Sequence, residues 1–266
     1  MEIQNHRLVG EGIRHLESPN RGGPYGEGEK DTIIIHYTAG ATPAGAIETL
    51  CGTERRVSAH LVIGRDGSMA QLLPFDIIGW HAGVSKWGER EGFNKYSIGF
   101  EIDNAGQLEE KDGKYVSWFG KEYPPEEVVQ GVHRNQTQPT YWHSFTETQV
   151  RVVEELCALL IEEYGLKHIL GHEEVAPDRK VDPGPAFPLD ALRARLLPGP
   201  AALVGDGGRV KATRLNIRNE PDGKAEKVAG YLNRDTEVNI LEKRKGWYRV
   251  SVALEGWVSG RYIEKT

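Results

Sequence analysis

The proline-rich segment at residues 171–185, GHEEVAPDRKVDPGP, constrains this chain more than any other part of its sequence. It holds a His, a Lys and an Asp at positions 172, 180 and 182, and its three prolines restrict the backbone around them. A residue that precedes a proline favours an extended conformation, so Asp182 is expected to be extended. Side chains at i and i+2 of an extended chain share a face, so Lys180 and Asp182 are predicted to point the same way.

A second histidine, His36, stands at the end of the apolar run at residues 32–36. Two imidazoles and one carboxylate are what a catalytic zinc ion needs when its fourth position is left open for water. A cation aimed at the same space as the carboxylate suggests an electrostatic stabiliser beside the metal. The chain is therefore predicted to be a zinc hydrolase, although the 171–185 segment taken alone is equally compatible with a salt bridge in a surface loop.

The bulk composition is that of an ordinary soluble globular protein, with 38% hydrophobic and 27% charged residues. The length of 266 residues fits one large domain, or one medium and one small domain. No apolar run approaches the roughly 20 residues that cross a bilayer, and the first residues lack the apolar stretch of a signal peptide. We therefore expect cytoplasmic synthesis without a signal peptide and no membrane span. The net charge of −6 gives no reason to expect nucleic acid binding.

Strand and helix patterns alternate before residue 198, which predicts an α/β fold with a mixed central β-sheet flanked by helices. Cys51 and Cys157 lie in helix-like stretches and are predicted to be small buried side chains rather than disulfide partners or metal ligands. Thr146 and Gln149 form a capping box at the start of the clearest helix. The predicted strands are residues 32–36, 59–63, 69–73, 97–103 and 167–170, and the main predicted helices are residues 146–164 and 189–196.

Two further regions have different compositions. Residues 105–141 show little periodicity and are long for a connection, so they are interpreted as a substrate-side insertion, with a plain surface excursion as an equal alternative. Residues 199–208 are predicted to be a linker because they are rich in Gly, Pro and Ala. Short β segments separated by turns follow and predict a small barrel. The predicted domains are thus residues 1–198 and 209–266.

Five segments in order resemble the type-2 N-acetylmuramoyl-L-alanine amidases, a superfamily that includes the phage-lysozyme-type zinc amidases and the peptidoglycan recognition proteins. The segments are IIHYT at 34–38, SAHLVI at 58–63, GWHAGVS at 79–85, YSIGFE at 96–101, and residues 171–185. The chain from about residue 210 resembles bacterial SH3-like domains through LNIR at 215–218, GWYRV at 246–250 and GWVS at 256–259. The resemblance implies the peptidoglycan-recognition/amidase fold followed by an SH3-like β-barrel.

Carried over by position, the resemblance implies that His36, His172 and Asp182 bind one catalytic zinc ion. Glu101 takes the place of the catalytic acid and base, and Lys180 that of the residue facing the scissile carbonyl. All five residues are present, which argues against the branch that only recognises peptidoglycan.

These two roles have structural alternatives. Glu101 could be a solvated glutamate at a strand end, although Gly99 is expected to leave space beside it. Lys180 could instead form a surface ion pair with Asp178.

The residues expected to contact substrate rest on weaker grounds. Tyr37 and Thr38 are placed near the metal only because they follow His36. His81, between Trp80 and Gly83, is expected to line the groove and contact substrate, with a structural role as an equal alternative. His60 precedes an apolar strand and is expected to be a packed residue or a support for a ligand rather than a ligand itself.

The function implied is hydrolysis of the amide between N-acetylmuramic acid and L-alanine in peptidoglycan. The expected partner is the glycan-linked stem peptide, with the C-terminal domain holding the enzyme on the wall, as tethering raises the local substrate concentration. A phage endolysin or related lytic amidase that acts on the wall after release is the favoured interpretation. A cytosolic muropeptide-recycling amidase and a non-catalytic peptidoglycan-binding protein are the alternatives. Oligomeric state is not predicted.

Overall fold

The computed structural model describes residues 1–197, 207–244 and 246–252. The chain divides into two compact units, Met1–Leu197 and Pro198–Thr266, which are described separately. Most of the linker expected at residues 199–208 lies outside the described residues, so its extent and the domain limits stay predictions. No helix within the described ranges is long and apolar enough to cross a membrane.

The first unit combines short strands with four α-helices in its described residues. In chain order the strands are β1 (Glu2–Gln4), β2 (Arg7–Val9), β3 (Ile13–His15), β4 (Arg21–Pro24), β5 (Thr32–Tyr37), β6 (Leu61–Ile63), β7 (Met69–Gln71), β8 (Ile77–Gly79), β9 (Lys86–Trp87), β10 (Arg90–Glu91), β11 (Ser97–Ile102), β12 (Gln107–Lys111), β13 (Lys114–Val116), β14 (Glu122–Tyr123), β15 (Val128–Val132), β16 (Pro139–His143) and β17 (His168–Gly171). The helices are α1 (Pro43–Cys51), α2 (Glu147–Tyr164), α3 (His172–Val175) and α4 (Leu189–Leu196), and two 3-10 turns cover Phe93–Lys95 and Pro125–Glu127.

The centre of this unit is a six-stranded mixed sheet with the order β17-β5-β11-β6-β7-β3. Strands β17, β5, β11 and β6 run parallel to one another, whereas β7 is antiparallel to β6 and parallel to β3. The sheet and its flanking helices confirm the predicted mixed α/β fold. Strands β1 to β4, of which only β3 joins the central sheet, had no clear signal in the sequence.

The core is built on the apolar residues of β5, which are buried on both faces of the sheet. Ile33 and Ile35 pack with Phe100 in the larger cluster, whereas Ile34 packs with Leu170 in a cluster on the other side. All three isoleucines have 0% exposure. Burying a side chain of this size contributes about 1.5–3 kcal/mol, so the strand that carries His36 is anchored from both sides.

Helix α2 begins and ends as the sequence predicts. The Thr146 side chain accepts a hydrogen bond from the Gln149 backbone N–H, and the Gln149 side chain accepts one from the Thr146 backbone N–H. The helix ends at Gly165, whose φ of 64° lies in the left-handed region that glycine adopts without strain. Cys157 is fully buried on this helix, and both cysteines are free thiols.

Residues 105–141, which the sequence suggested to be irregular, instead contain most of a second sheet. This sheet is antiparallel, has five strands in the order β14-β13-β12-β16-β15, and is called the insertion sheet below. It has a small core of its own, formed by Ala105, Leu108, Tyr123, Tyr115, Phe119, Val128 and Tyr141. Its strands escaped prediction because each buries few residues: Leu108 alone is buried in β12, so no alternating apolar pattern is visible.

The second unit contains only strands in its described residues. They are β18 (Gly207–Arg209), β19 (Arg214–Arg218), β20 (Lys227–Asn233), β21 (Glu237–Arg244) and β22 (Trp247–Ser251). Strands β18, β21 and β22 form one sheet, and β19 pairs with β20. The strand expected at residues 256–258, with Trp257, lies outside the described residues.

Candidate active site

The three residues expected to bind zinc come from two neighbouring parallel strands and the proline-rich segment. Strands β5 and β17 pair so that Ile35 lies opposite Gly171. His36 and His172 are the next residues of the two chains, so they emerge side by side at the same edge of the sheet. Asp182 reaches them from the proline-rich segment. The three residues are buried, with exposures of 1%, 2% and 6%.

Their donor atoms converge on one point. His36 Nδ1 lies 2.9 Å from His172 Nδ1, and both nitrogen atoms lie 3.0 Å from Asp182 Oδ2. Three atoms of ligand type therefore form a small triangle, and they are close enough to contact a single ion.

The hydrogen bonds on the far side of each ring define which nitrogen carries the proton. His172 Nε2 lies 3.1 Å from the Ala82 carbonyl oxygen, which can only accept, so Nε2 is protonated and Nδ1 of the neutral ring holds a lone pair. His81 Nε2 likewise donates to the Ser97 carbonyl at 3.2 Å, so His81 Nδ1 accepts from His36 Nε2 at 2.9 Å. His36 Nδ1 is then also unprotonated.

This arrangement fits a bound cation. Two imidazole lone pairs and a carboxylate oxygen face one another, and each ring is oriented by a hydrogen bond from its other nitrogen, as is usual for metal-binding histidines. Burial, followed by the neighbouring His172, lowers the pKa of His36 to about 4, which keeps the ring neutral.

Glu101 lies beside this cluster, on the strand next to His36. In the parallel pairing of β11 with β5, Glu101 is directly opposite His36. Its Oε2 atom is buried and has no hydrogen-bond partner among the residues that the structure describes, which is rare for a carboxylate oxygen. Burial, followed by the charge of Asp182, raises the pKa of Glu101 well above its usual value, whereas Lys180 lowers it. Glu101 is thus a half-buried side chain with one shielded oxygen atom rather than a fully solvated strand end, and its raised pKa suits it to exchanging protons.

The expected role of Gly99 was wrong in one respect. A Cβ atom at position 99 would lie 2.5 Å from the Cγ and Nδ1 atoms of His81. Gly99 therefore makes room for His81 rather than for Glu101, and it allows His81 to approach His36.

An open cleft of about 340 Å³ adjoins the cluster. It is lined by Arg56, Val57, Trp80, His81, Gly83, Asn94, His172, Arg179 and Lys180. Lys180 is half-buried, and within the described part of the chain it forms no ion pair with Asp178, the alternative partner suggested by the sequence. The positive charge of Lys180 lowers the pKa values of both Glu101 and His36.

The other two cations of the cleft are held differently. The Arg179 guanidinium donates to the carbonyls of Ala82 and Val84, both at 2.8 Å, and so supports the loop that carries His81. The Arg56 guanidinium lies over the Trp80 ring, 5.1 Å from its centre, and is exposed. The cleft therefore presents positive charge to its contents.

The structure separates the residues expected to contact substrate. His81 lines the cleft and also orients His36, and its contact with substrate stays a prediction. Tyr37 packs over Gly106, and the Thr38 hydroxyl bonds the backbone of Asn104. Neither lines the cleft described above, and their contact with substrate stays a prediction.

Two residues hold the site in place through hydrogen bonds, and the sequence pointed to only one of them. His60 is fully buried: its Nδ1 accepts from the Gly99 backbone N–H at 3.0 Å and its Nε2 lies 2.9 Å from the Ile77 carbonyl oxygen, which agrees with the expected packed role. Asn94 was missed. Its Oδ1 accepts from the backbone N–H groups of His81 and Ala82, but a lone asparagine in a turn carries no sequence signal for this.

Comparison with known proteins identifies two families. The model of the N-acetylmuramoyl-L-alanine amidase family matches residues 27–185, and that of the bacterial SH3 domain matches residues 213–264. Both resemblances inferred from the sequence are thereby confirmed. The part of the second match beyond residue 252 lies outside the described residues.

Individual relatives cover part of the chain. The 1,6-anhydro-N-acetylmuramyl-L-alanine amidase AmpD of Escherichia coli K12 is 35% identical over 144 residues, 53% of this chain and 58% of that protein. The N-acetylmuramoyl-L-alanine amidase AmiD of Escherichia coli K12 is 28% identical over 194 residues, 70% of this chain and 56% of that protein. A crystal structure of a selenomethionine derivative of AmpD aligns with a TM-score of 0.49 and 25% identity over 74% of this chain and 100% of that one. The chain thus spans less than two thirds of the length of these two curated relatives.

Proposed function

Because the chain belongs to the N-acetylmuramoyl-L-alanine amidase family, we propose that it is a zinc-dependent enzyme that hydrolyses the amide between N-acetylmuramic acid and L-alanine in peptidoglycan. The observation that carries this proposal is the convergence of His36, His172 and Asp182 beside Glu101, whose Oε2 atom is buried without a hydrogen bond from the described residues. Water adds across the amide: its oxygen bonds to the lactyl carbonyl carbon, the carbon–nitrogen bond breaks, and the alanine nitrogen leaves as an amine.

Each residue has a separate task in this reaction. A zinc ion held by His36, His172 and Asp182 would polarise the carbonyl and make water a stronger acid. Glu101 accepts the proton of the attacking water and returns it to the departing amine. Lys180 stabilises the negative charge that develops on the carbonyl oxygen. His81 holds the His36 ring in place through the 2.9 Å hydrogen bond to Nε2.

The positive cleft suits a substrate with carboxylates, as the stem peptide of peptidoglycan has. We predict that Arg56→Ala raises KM about fivefold, equivalent to about 1 kcal/mol, because an exposed charge contributes a modest binding energy. The kcat should change little, since the contact is made equally before and during the reaction. Steady-state kinetics on a soluble muropeptide measures both values. Arg55→Ala is the matched control, because the neighbouring Arg55 is also exposed but does not line the cleft; an equal rise in KM there would contradict the assignment.

The SH3 unit favours the intact cell wall as the substrate, which the enzyme would reach after release from the cytoplasm. Soluble muropeptides are the second candidate substrate. The identity to AmpD, whose name specifies a 1,6-anhydro-N-acetylmuramyl substrate, favours that second candidate. Release by a phage lysis system stays a prediction from the sequence.

The two substrates can be separated by deletion. Removal of residues 198–266 is predicted to leave hydrolysis of a soluble muropeptide within about twofold of the full chain. Cleavage of intact walls should fall roughly tenfold or more, because a tether that raises local concentration is lost. Release of soluble fragments from walls, and product formation from the muropeptide, measure the two rates. Equal loss on both substrates would contradict a tethering role.

The proposed bond is tested by the ends that it creates. Zinc-loaded protein is incubated with purified peptidoglycan, and the products are identified by mass spectrometry. New L-alanine amines, with intact lactyl-muramic acid on the glycan, are the expected result. Absence of new ends from a protein that binds both zinc and walls would overturn the proposal in favour of a non-catalytic binding protein.

A further inference from the structure

We propose that Glu173 and His133 are positioning residues for the zinc ligands, and that the insertion sheet reaches the active site through them. The inference rests on the proposed zinc site. It concerns a residue of the proline-rich segment and a histidine of the insertion to which the sequence assigned no role.

The Glu173 carboxylate is a buried junction of three hydrogen bonds. Its Oε2 accepts from His133 Nε2 at 2.6 Å and from the Gly184 backbone N–H at 3.0 Å, and its Oε1 accepts from Arg134 Nε at 2.7 Å. The side chain is only 3% exposed. A carboxylate held by a charged donor and two further donors in a dry environment has a well-defined position.

Glu173 also joins the two segments that carry the ligands. It follows His172 directly in α3, and its backbone N–H donates to the carbonyl of Asp182 at 2.8 Å. Its side chain holds Gly184, two residues beyond Asp182. A displacement of Glu173 would therefore move one ligand relative to the other.

The insertion sheet supplies the other half of the junction. His133 and Arg134 directly follow strand β15, and His133 has 0% exposure. The Asn135 backbone N–H donates to His133 Nδ1 at 3.2 Å, so Nε2 carries the proton that Glu173 accepts. The Asn135 side chain donates to the Glu173 carbonyl at 3.0 Å, which adds a second link between the same two segments.

The Trp142 ring packs against both the His133 ring and the backbone of Gly184. Trp142 of strand β16 stacks on His133 with ring centres 5.6 Å apart and planes at 19°. A Cβ atom at position 184 would lie 2.6 Å from the Trp142 ring, and Gly184 has a φ of +72°. The glycine therefore allows the indole to lie against the chain just past Asp182.

Through these contacts the insertion sheet holds the segments that carry His172 and Asp182 in position for metal binding. Groups that orient metal ligands typically change metal affinity by 10-fold to 100-fold when they are removed. Glu173→Gln places an amide N–H₂ group against one of the present donors. We expect zinc to bind about 10-fold to 100-fold more weakly to this variant, and kcat at saturating zinc to fall while KM stays within about twofold.

The test measures zinc affinity by competition with a chelator and unfolding of the metal-free protein by heat. Glu154→Gln is the matched control, because it removes a glutamate from an ion pair with Arg195 on the surface of α2, away from the cluster. Arg134→Gln is a milder second variant: its side chain is 33% exposed, so it should fold even if Glu173→Gln does not, and zinc should bind it several-fold more weakly. A purely structural role would lower the unfolding temperature without changing the zinc affinity of the folded protein.

The outcomes separate this inference from the proposed function. A wild-type chain that does not bind zinc would overturn both. A wild-type chain that binds zinc, with variants at Glu173 and Arg134 that bind it as tightly as Glu154→Gln does, would overturn the positioning role alone. Weakened zinc binding in the two variants, with a normal control, would support it.

Discussion

Replacement of Glu101 by glutamine is expected to reduce kcat by about 10²-fold to 10⁴-fold, the usual contribution of a general acid or base. Glutamine has nearly the same shape but cannot accept the proton of water at neutral pH. The loss should occur at unchanged zinc content, since Glu101 is not one of the three converging ligands. The Oε2 atom is buried and accepts no hydrogen bond from the described residues, so it is free to accept a proton from water.

The measurement is the rate of release of L-alanine amines from a soluble muropeptide, with zinc content determined on the same sample. Glu126→Gln is the control, because Glu126 is an exposed glutamate on a 3-10 turn of the insertion. Activity close to that of the wild type in Glu101→Gln would show that another group exchanges the proton. Loss of zinc together with activity would show instead that Glu101 supports the metal.

Replacement of Asp182 by alanine is expected to remove both zinc and activity. The variant leaves two neutral imidazoles, without the charge that attracts a divalent cation. We expect hydrolysis to fall at least about 10³-fold, equivalent to about 4 kcal/mol of transition-state stabilisation. Zinc should also stop protecting the fold, because a ligand stabilises the native state only as far as it binds to it.

Thermal unfolding with and without excess zinc measures this second effect. At zinc concentrations near 1,000 times Kd, the wild type should gain about 4 kcal/mol, whereas Asp182→Ala should gain almost nothing. Asp178→Ala is a matched control in the same segment, since Asp178 is exposed and lies outside the cluster. A shift in Asp182→Ala equal to that of the wild type would exclude Asp182 as a ligand.

The parts of the fold that could be predicted are those whose signal is local. The apolar run of β5 and the capping box of α2 each depend on residues within a few positions of one another, and both elements form as expected. The insertion sheet could not be predicted in this way. Its strands are short and bury few residues, so their pairing becomes visible only when the partners are side by side.

The candidate site shows the same division. The types of residue around it, and their resemblance to an amidase family, were readable from five short segments. The position of His81 over Gly99 was not, because the two residues lie on different segments and the space above a glycine can be taken by any neighbour. Nor was the bond between His133 and Glu173, which are 40 positions apart.

The sequence by itself determined the family, the chemical nature of the metal ligands and the two strands that lead to the histidines, because ligand chemistry and local periodicity belong to the residues themselves. Only the tertiary structure decided which nitrogen atoms face the metal position, that one oxygen atom of the Glu101 carboxylate is buried without a hydrogen bond from the described residues, and that the insertion sheet supports the proline-rich segment. These properties depend on which groups meet across the fold, and burial and hydrogen bonding between distant segments are settled only when the whole chain is packed.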